Sequence, residues 1–335
     1  MIWPARLPAR LVVGYGTAVV LSWLFLRNAE WRVLLDGLQS VGWPLLGAAI
    51  LARLASLVVS SVRWQILLAP VRAVPLRPVL TAMMMGMAIS ALISMQAAEV
   101  VRPYLLSEQA GIAFTATVAT VAVEWFLDLL SVLVLFLPVR GLVIRNAPAG
   151  RLDVNVVLGS MVIVSAVGLA ALRWIPRAVG RIHEWIQDSG IGSPRARERV
   201  MQQLTQFTIG LRIMEQPAGV ATVAVCSLLT ALLTAVSAWL ALRAFGLPVP
   251  FLAGFAILGL VTIGGMTPTP GAIGGFHAIC QAGLVLLLHS DPARTVAPVI
   301  GLHAVLYLPA AAIGAVCFLR VRTGQQGSMD AERTA

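Results

Sequence analysis

Long apolar runs, separated by short polar stretches, dominate the chain. Six of these runs approach the roughly 20 residues that a helix needs to cross the hydrocarbon core of a bilayer. The predicted spans are residues 11–26, 43–68, 112–137, 154–171, 220–242 and 296–319. The pattern therefore predicts an all-α, polytopic membrane bundle with about six spanning helices.

Two further apolar segments are interrupted. Residues 79–106 are rich in methionine and small residues, and residues 251–288 contain two prolines and three glycines within positions 267–275, which cannot continue a helix. Non-helical backbone at membrane depth is tolerated only where protein buries it or a cavity solvates it. Both segments are predicted to form re-entrant or broken helical hairpins. Their places in the two halves indicate an inverted repeat, the arrangement that marks a transporter's binding site.

The first apolar run has two interpretations. Arg6 and Arg10 precede it, as in a secretory signal peptide, but Arg27 and Glu30 follow and no small-residue cleavage site is present. We interpret the run as an uncleaved first helix.

Residues 175–216 form the longest polar segment. Ile182, Trp185 and Ile186 indicate a short amphipathic turn, and the glycines at 190 and 192 break the pattern. A second helix is predicted to begin at Ser193 and Pro194, with apolar residues at helical spacing (Val200, Leu204, Phe207, Leu211). This helix either lies at the surface of an anionic leaflet or serves as a solvated connector.

Composition supports a single membrane domain. The sequence is 59% hydrophobic and 11% charged, with mean hydropathy +0.89. We predict one integral membrane domain over residues 1–322, with 175–216 as a cytoplasmic amphipathic segment within it. A disordered cytoplasmic tail is predicted over 323–335.

Arginine supplies every one of the 24 cations in a chain of net charge +10, so Schiff-base chemistry on a lysine is excluded. The arginines lie mainly in loops, where they set topology and meet anionic lipid headgroups, which argues against nucleic-acid binding. Fourteen fall on one predicted side and seven on the other. The positive-inside rule then places both termini and 175–216 in the cytoplasm.

Cysteine spacing indicates no metal site. Cys226, Cys280 and Cys317 lie far apart in apolar runs, and we interpret them as small packing residues. No metal or other cofactor is expected.

Six charged side chains lie inside the predicted membrane segments of the first half. They are the cations Arg53, Arg63 and Arg102 and the anions Glu99, Glu124 and Asp128. One such charge at a helix centre costs about 2.5 to 3.5 kcal/mol on insertion scales, so it usually faces a partner or a water-filled cavity. The six either pair to hold helices together or line a groove whose arginines bind a lipid phosphate or carboxylate.

Hydroxyl side chains form stripes on two of the predicted spans. One stripe joins Thr117, Thr120 and Ser131 to the acids of its helix, and the other consists of Ser227, Thr230, Thr234 and Ser237. Such stripes indicate either close helix packing or a transport path.

Four motifs in this order resemble a known family. They are Arg63-Trp64 with Leu67-Leu68, Glu99-Val-Val-Arg102, Glu124 with Asp128, and Pro270-Gly271-Ala-Ile-Gly274. Together they resemble the flippase-like membrane domain of the lysylphosphatidylglycerol synthase family, over about residues 9–319. The resemblance implies two re-entrant segments, a frequent homodimer, and a role in moving lipids between leaflets or assisting their handling. No segment here corresponds to the family's soluble aminoacyl-transferring domain, so lysine transfer from tRNA is not expected.

The resemblance therefore implies a multi-pass lipid flippase or transporter-like protein of the bacterial inner membrane, for an anionic lipid or a polyprenyl-linked intermediate. The candidate site combines the six charged residues above with Pro270, Gly271, Gly274 and His277 of the second half. A non-transporting partner of a lipid-modifying or glycosyl-transferring enzyme is the second hypothesis. The third hypothesis is an integral membrane enzyme, which would need a metal-binding acidic motif or a nucleophile with a base. Glu124 and Asp128 could hold a metal, but no further carboxylate cluster supports them.

Overall fold

The computed structural model describes residues 7–27, 30–141, 154–189 and 193–334. In those ranges the chain forms twelve α-helices and no strand, which confirms the all-α bundle. The helices are α1 (Leu7–Leu26), α2 (Trp31–Gln39), α3 (Trp43–Leu68), α4 (Leu76–Leu92), α5 (Met95–Ala110), α6 (Phe114–Phe136), α7 (Val154–Ser189), α8 (Pro194–Gly210), α9 (Pro217–Ala244), α10 (Ala253–Gly265), α11 (Gly275–Leu288) and α12 (Pro292–Thr334).

Five of the six predicted spans coincide with helices long and apolar enough to cross a bilayer. These stretches are Trp43–Leu68, Phe114–Val139, Leu158–Ile182, Pro217–Ala244 and Pro292–Val321. In α1 the apolar stretch Val13–Leu26 is shorter than these, so its crossing of the membrane stays a prediction.

Both interrupted segments are broken as predicted. The first is the hairpin of α4 and α5, which pack against each other, and Ser94 caps α5 by accepting a hydrogen bond from the Ala97 amide at 3.2 Å. In the second, α10 and α11 are joined by a loop that contains the short 3₁₀ turn Pro270–Ala272. Gly271 and Gly274 have positive φ there, which explains the glycines. That either segment re-enters the membrane stays a prediction.

The two interruptions meet beside α1. Gln96 donates to the carbonyl oxygen of Met266 at 2.8 Å, which joins the start of α5 to the loop after α10. Tyr15 of α1 donates to the Leu92 carbonyl at 2.9 Å, and α1 also packs on Gly274 through Ala18. The broken segments of the two halves therefore lie against one another.

The core has two main parts, one built mainly from helices of the first half and the other mainly from helices of the second half. In the first half, Trp64 and Leu67 of α3 pack with Leu106 of α5 and with residues of α6. In the second half, Phe276 of α11 and Leu302 of α12 pack with residues of α9 and α10. Helix α9 packs along α3 and joins the two halves.

The predicted end of the fourth span at residue 171 is wrong. Helix α7 continues through Pro176 to Ser189, so Ile182 and Trp185 belong to it and not to a separate turn. The helix continues past residue 171 because its buried face also continues, with the side chains of Leu172 and Val179 buried. The predicted break at residues 190–192 lies outside the described residues.

Helix α8 begins as predicted. The Ser193 side chain accepts a hydrogen bond from the Ala196 amide at 3.3 Å, and Pro194 occupies the first turn. The helix packs on α6, where Gly210 lies against Ala116. One face of α8 is thus held by the bundle, and its contact with a lipid leaflet stays a prediction.

Helix α12 is longer than the predicted span. It carries Pro298 and Pro309 inside and continues to Thr334. Helical structure therefore extends into 323–335, the segment that the sequence predicts to be a disordered tail. No proline follows Pro309 to stop the helix.

The conformation of Gly274 gives a test of this packing. Its φ of 84° and ψ of −63° lie in a strained region for residues with a side chain, and an added Cβ would lie 2.6 Å from the Leu21 Cβ. We expect Gly274→Ala to destabilise the protein by at least about 1 to 3 kcal/mol, measured as a lower thermal unfolding midpoint in detergent. Gly16→Ala is the matched control, because nothing lies within 4 Å of its added Cβ. Equal midpoints for both variants would contradict the close contact of α1 with this loop.

Candidate functional site

A buried carboxylate joins two arginines at the centre of the first half. Glu124 of α6 is 1% exposed, and its Oε1 lies 3.2 Å from Nη2 of Arg63 on α3. Its Oε2 lies 2.8 Å from Nη2 of Arg102 on α5. One side chain therefore ties together three helices.

Two further carboxylates extend this ion network at its ends. Glu99 lies 3.0 Å from Arg102, one helical turn earlier on α5, and Asp128 pairs with Arg63. The order of contact is Glu99, Arg102, Glu124, Arg63, Asp128. The three inner side chains are at most 9% exposed, whereas Glu99 is 23% and Asp128 47% exposed.

Local sequence explains how the helices present these groups. Spacings of three residues on α5 and four on α6 place each pair on one helical face. Gly86 of α4 allows α5 to approach closely, because an added Cβ would lie only 3.3 Å from the Arg102 Cβ. Thr117 donates to the Pro103 carbonyl at 3.3 Å and links α6 to α5.

Neutral side chains complete the surroundings of the two arginines. The Arg102 guanidinium lies 4.7 Å from the centre of the Trp64 ring, and the Trp64 indole donates to Thr120 at 3.0 Å. Arg63 donates to the Ser227 hydroxyl of α9 at 2.8 Å. Ser237 of α9 donates to the Ala49 carbonyl of α3 at 2.8 Å. These contacts of the hydroxyl stripes join helices.

Arg53 does not join the ion network. It lies ten residues from Arg63 on α3, which is about 15 Å along a helix. Its Nε donates to the Leu306 carbonyl of α12 at 3.0 Å and its Nη1 to the Ser56 hydroxyl at 3.3 Å. Within the described ranges no carboxylate lies within ion-pair distance of it. Five of the six predicted charges are therefore in contact, and the sixth lies apart.

A cavity of about 80 Å³ separates Arg53 from the network. Its lining residues are Arg53, Met83, Gly86, Met87, Ser90, Met95, Ala98, Glu99, Arg102 and Tyr307. The cavity thus combines two guanidinium groups, one carboxylate and two hydroxyls with flexible methionine side chains. Sequence reasoning missed Ser90 and Tyr307, for which the only signal is a polar group in an apolar run.

The second-half candidates surround a histidine on α12. His303 Nε2 donates to the Gly271 carbonyl at 2.7 Å, and its ring lies 4.7 Å from that of His277. His277 Nδ1 accepts from the Gly274 amide at 3.3 Å. On its other side His303 stacks on Tyr307 at 4.7 Å.

The two predicted halves of the site are therefore linked but not merged. None of Pro270, Gly271, Gly274 and His277 lines the cavity. They reach it through the stacked rings of His303 and Tyr307. His303 is a single histidine within an apolar stretch of α12, and no motif in the sequence selects it.

A larger groove of about 290 Å³ lies between α1, α11 and the start of α12. Its lining is apolar except for Gln281, which donates to the Pro292 carbonyl at 3.0 Å. It presents no ionisable side chain, so the charged chemistry belongs to the smaller cavity.

Comparison with known protein families gave a match to the chain. A family profile described as "Lysylphosphatidylglycerol synthase TM region" matches residues 9–314, nearly the whole chain. A search of curated proteins gave no match.

The central position of Glu124 generates a prediction about stability. Glu124→Gln removes the charge that both buried arginines contact, and breaking a buried pair in this way costs about 3 to 5 kcal/mol. We expect a clearly lower thermal midpoint in detergent. Glu108→Gln, on an exposed position of α5, is the matched control and should leave the midpoint unchanged. A Glu124→Gln midpoint equal to that of the wild type would refute the structural role of the network.

Proposed function

The chain belongs to the lysylphosphatidylglycerol synthase transmembrane-region family, and from this premise we propose that it is a lipid flippase or transporter-like protein. Its substrate carries an anionic phosphate group, as in phospholipids and polyprenyl phosphates. The protein moves or handles this lipid between the leaflets of the bacterial inner membrane.

The main observation behind the proposal is the position of Arg53. It is a half-buried guanidinium in a spanning helix, it has no carboxylate partner within the described ranges, and it lines a cavity. A charge in such a place needs a compensating group. Guanidinium donors match phosphate oxygens in geometry and charge, so a lipid phosphate in the cavity would supply that group.

The arrangement of the helices also supports transport. Two broken segments, one from each half, lie in contact near this cavity, and Met95 at the start of α5 lines it. Transporters built from repeated halves bind substrate where interrupted helices meet. The ion pair of Glu99 and Arg102 at the cavity wall can open to admit a headgroup, because Arg102 keeps Glu124 as its partner.

Both oxygens of Glu124 accept from guanidinium groups, which argues against their use as metal ligands by a membrane enzyme.

Leaflet exchange in liposomes tests the proposal. Purified protein is reconstituted with fluorescent phosphatidylglycerol, phosphatidylethanolamine or polyprenyl phosphate, and exchange is followed by quenching of the outer leaflet. We expect the wild type to accelerate exchange of at least one lipid. Arg53→Gln should lower the accelerated rate about tenfold or more, the loss expected for one charge-assisted contact.

Arg77→Gln is the matched control, because Arg77 is exposed on α4 and does not line the cavity. It should exchange lipid like the wild type. Thermal midpoints establish that all variants are folded. Exchange no faster than in empty liposomes for every lipid would overturn autonomous transport, and wild-type exchange by Arg53→Gln would overturn the role of Arg53.

Orientation can be tested separately. Gly42 donates to the Ala244 carbonyl at one end of the bundle, and Arg72 contacts the Ala110 carbonyl at the arginine-rich end. In a variant lacking the three native cysteines, we expect Ser40→Cys to react with an impermeant maleimide on intact spheroplasts. Ala73→Cys should react only after permeabilisation, because the positive-inside rule places its end in the cytoplasm. The reverse pattern would invert the proposed topology.

A further inference from the structure

The cavity lies between Arg53 and an ion network that carries a net negative charge. The ion network contains two arginines and three carboxylates, so it carries one surplus negative charge. The cation that would balance this charge, Arg53, lies across the cavity. One wall of the cavity therefore has Arg53, and the opposite wall has the Arg102 and Glu99 side chains of the negatively charged network.

Glu99 is the carboxylate of the ion network that lines the cavity. It lines the cavity and is 23% exposed, whereas Glu124 is buried between two arginines. Asp128 belongs to the opposite end of the network and does not line the cavity. Arg102, the partner of Glu99, is already paired with Glu124 at 2.8 Å. The Glu99 carboxylate is thus free to accept from a second donor without leaving Arg102 uncompensated.

We propose that the cavity binds a zwitterionic lipid headgroup in which a phosphodiester and a primary ammonium are close together, as in phosphatidylethanolamine. Arg53 takes the phosphodiester, and Glu99 accepts N–H hydrogen bonds from the ammonium. This assignment rests on the proposed function, because it uses the same phosphate position at Arg53.

Neither a purely anionic nor a purely cationic headgroup satisfies both walls. An anion at Arg53 leaves the surplus charge of Glu99 beside it, and a cation at Glu99 leaves Arg53 uncompensated. An ammonium offers three donors and a phosphodiester offers only acceptors, which matches the carboxylate on one wall and the guanidinium on the other. The hydroxyls of Ser90 and Tyr307 are further polar groups on the lining.

Binding of a matched set of ligands tests the headgroup. Affinity of the purified protein in detergent is measured by calorimetry for dihexanoyl phosphatidylethanolamine, its N-acetyl derivative and dihexanoyl phosphatidylglycerol. N-acetylation removes the ammonium charge and leaves the phosphodiester unchanged, while adding a small acetyl group. We expect the wild type to bind phosphatidylethanolamine about tenfold or more tightly than the other two, because it alone makes a charge-assisted contact between its ammonium and Glu99.

Two variants test separately the contact of the ammonium with Glu99 and the contact of the phosphodiester with Arg53. Glu99→Gln should lose that preference, with weaker phosphatidylethanolamine binding and unchanged or tighter binding of the N-acetyl lipid. Arg53→Gln should weaken all three lipids. Glu99→Asp keeps the negative charge and should retain part of the preference for phosphatidylethanolamine. If Glu99→Gln lowers the thermal midpoint, the lipid affinities of Glu99→Asp and the wild type are compared instead.

The outcomes separate this inference from the proposed function. Equal wild-type affinity for phosphatidylethanolamine and its N-acetyl derivative would overturn the zwitterionic assignment, while a shared dependence on Arg53 would leave the phosphate site standing. If Arg53→Gln binds all lipids like the wild type, the phosphate site at Arg53 is overturned. Glycerophosphoethanolamine carries the same headgroup without acyl chains. Binding of this compound as tight as that of the lipid would show a soluble ligand and contradict a lipid substrate.

Discussion

The position of Glu124 between Arg63 and Arg102 is the constraint on which the rest of the first half depends. Three ionised groups buried in an apolar bundle are tolerable only in direct contact, because each has lost the hydration that stabilised it in water. The contact fixes α3, α5 and α6 relative to one another. It also explains the small and hydroxyl side chains around it. Gly86 allows the close approach of α5, Ser227 accepts a hydrogen bond from Arg63, and Thr120 accepts one from Trp64, whose ring lies beside Arg102.

The cavity is a consequence of this arrangement. Arg53 lies about 15 Å along α3 from Arg63 and does not contact the carboxylates of the network. It donates a hydrogen bond to the Leu306 carbonyl of α12 instead. The space between Arg53 and the network is lined by α4, α5 and Tyr307. Tyr307 stacks on His303, which holds the Gly271 carbonyl, so the broken segment of the second half is in physical contact with the cavity wall. A ligand that displaces Tyr307 would therefore act on that loop.

Much of the fold follows from local patterns in the sequence. Apolar runs of spanning length predicted five helices that the structure contains, and prolines with glycines at 267–275 predicted the break between α10 and α11. Ser193 and Pro194 predicted the start of α8. Predicted helix ends were less reliable. Polar residues after position 171 suggested a boundary, but α7 continues because Leu172 and Val179 still pack against other helices. Burial of a face, which is a tertiary property, outweighed the local change in polarity.

For the site, the sequence by itself determined which residues carry charge into the membrane and which of them share a helical face. Those conclusions need only the period of the helix and the cost of a charge in lipid. Only the tertiary structure decided that Arg63 joins the carboxylates while Arg53 does not, although both lie on one face of α3. It also supplied Ser90, His303 and Tyr307, which no spacing rule selects. Helical periodicity determines the direction in which a side chain points from the axis of its helix. Which other helix lies in that direction depends on how the whole chain packs.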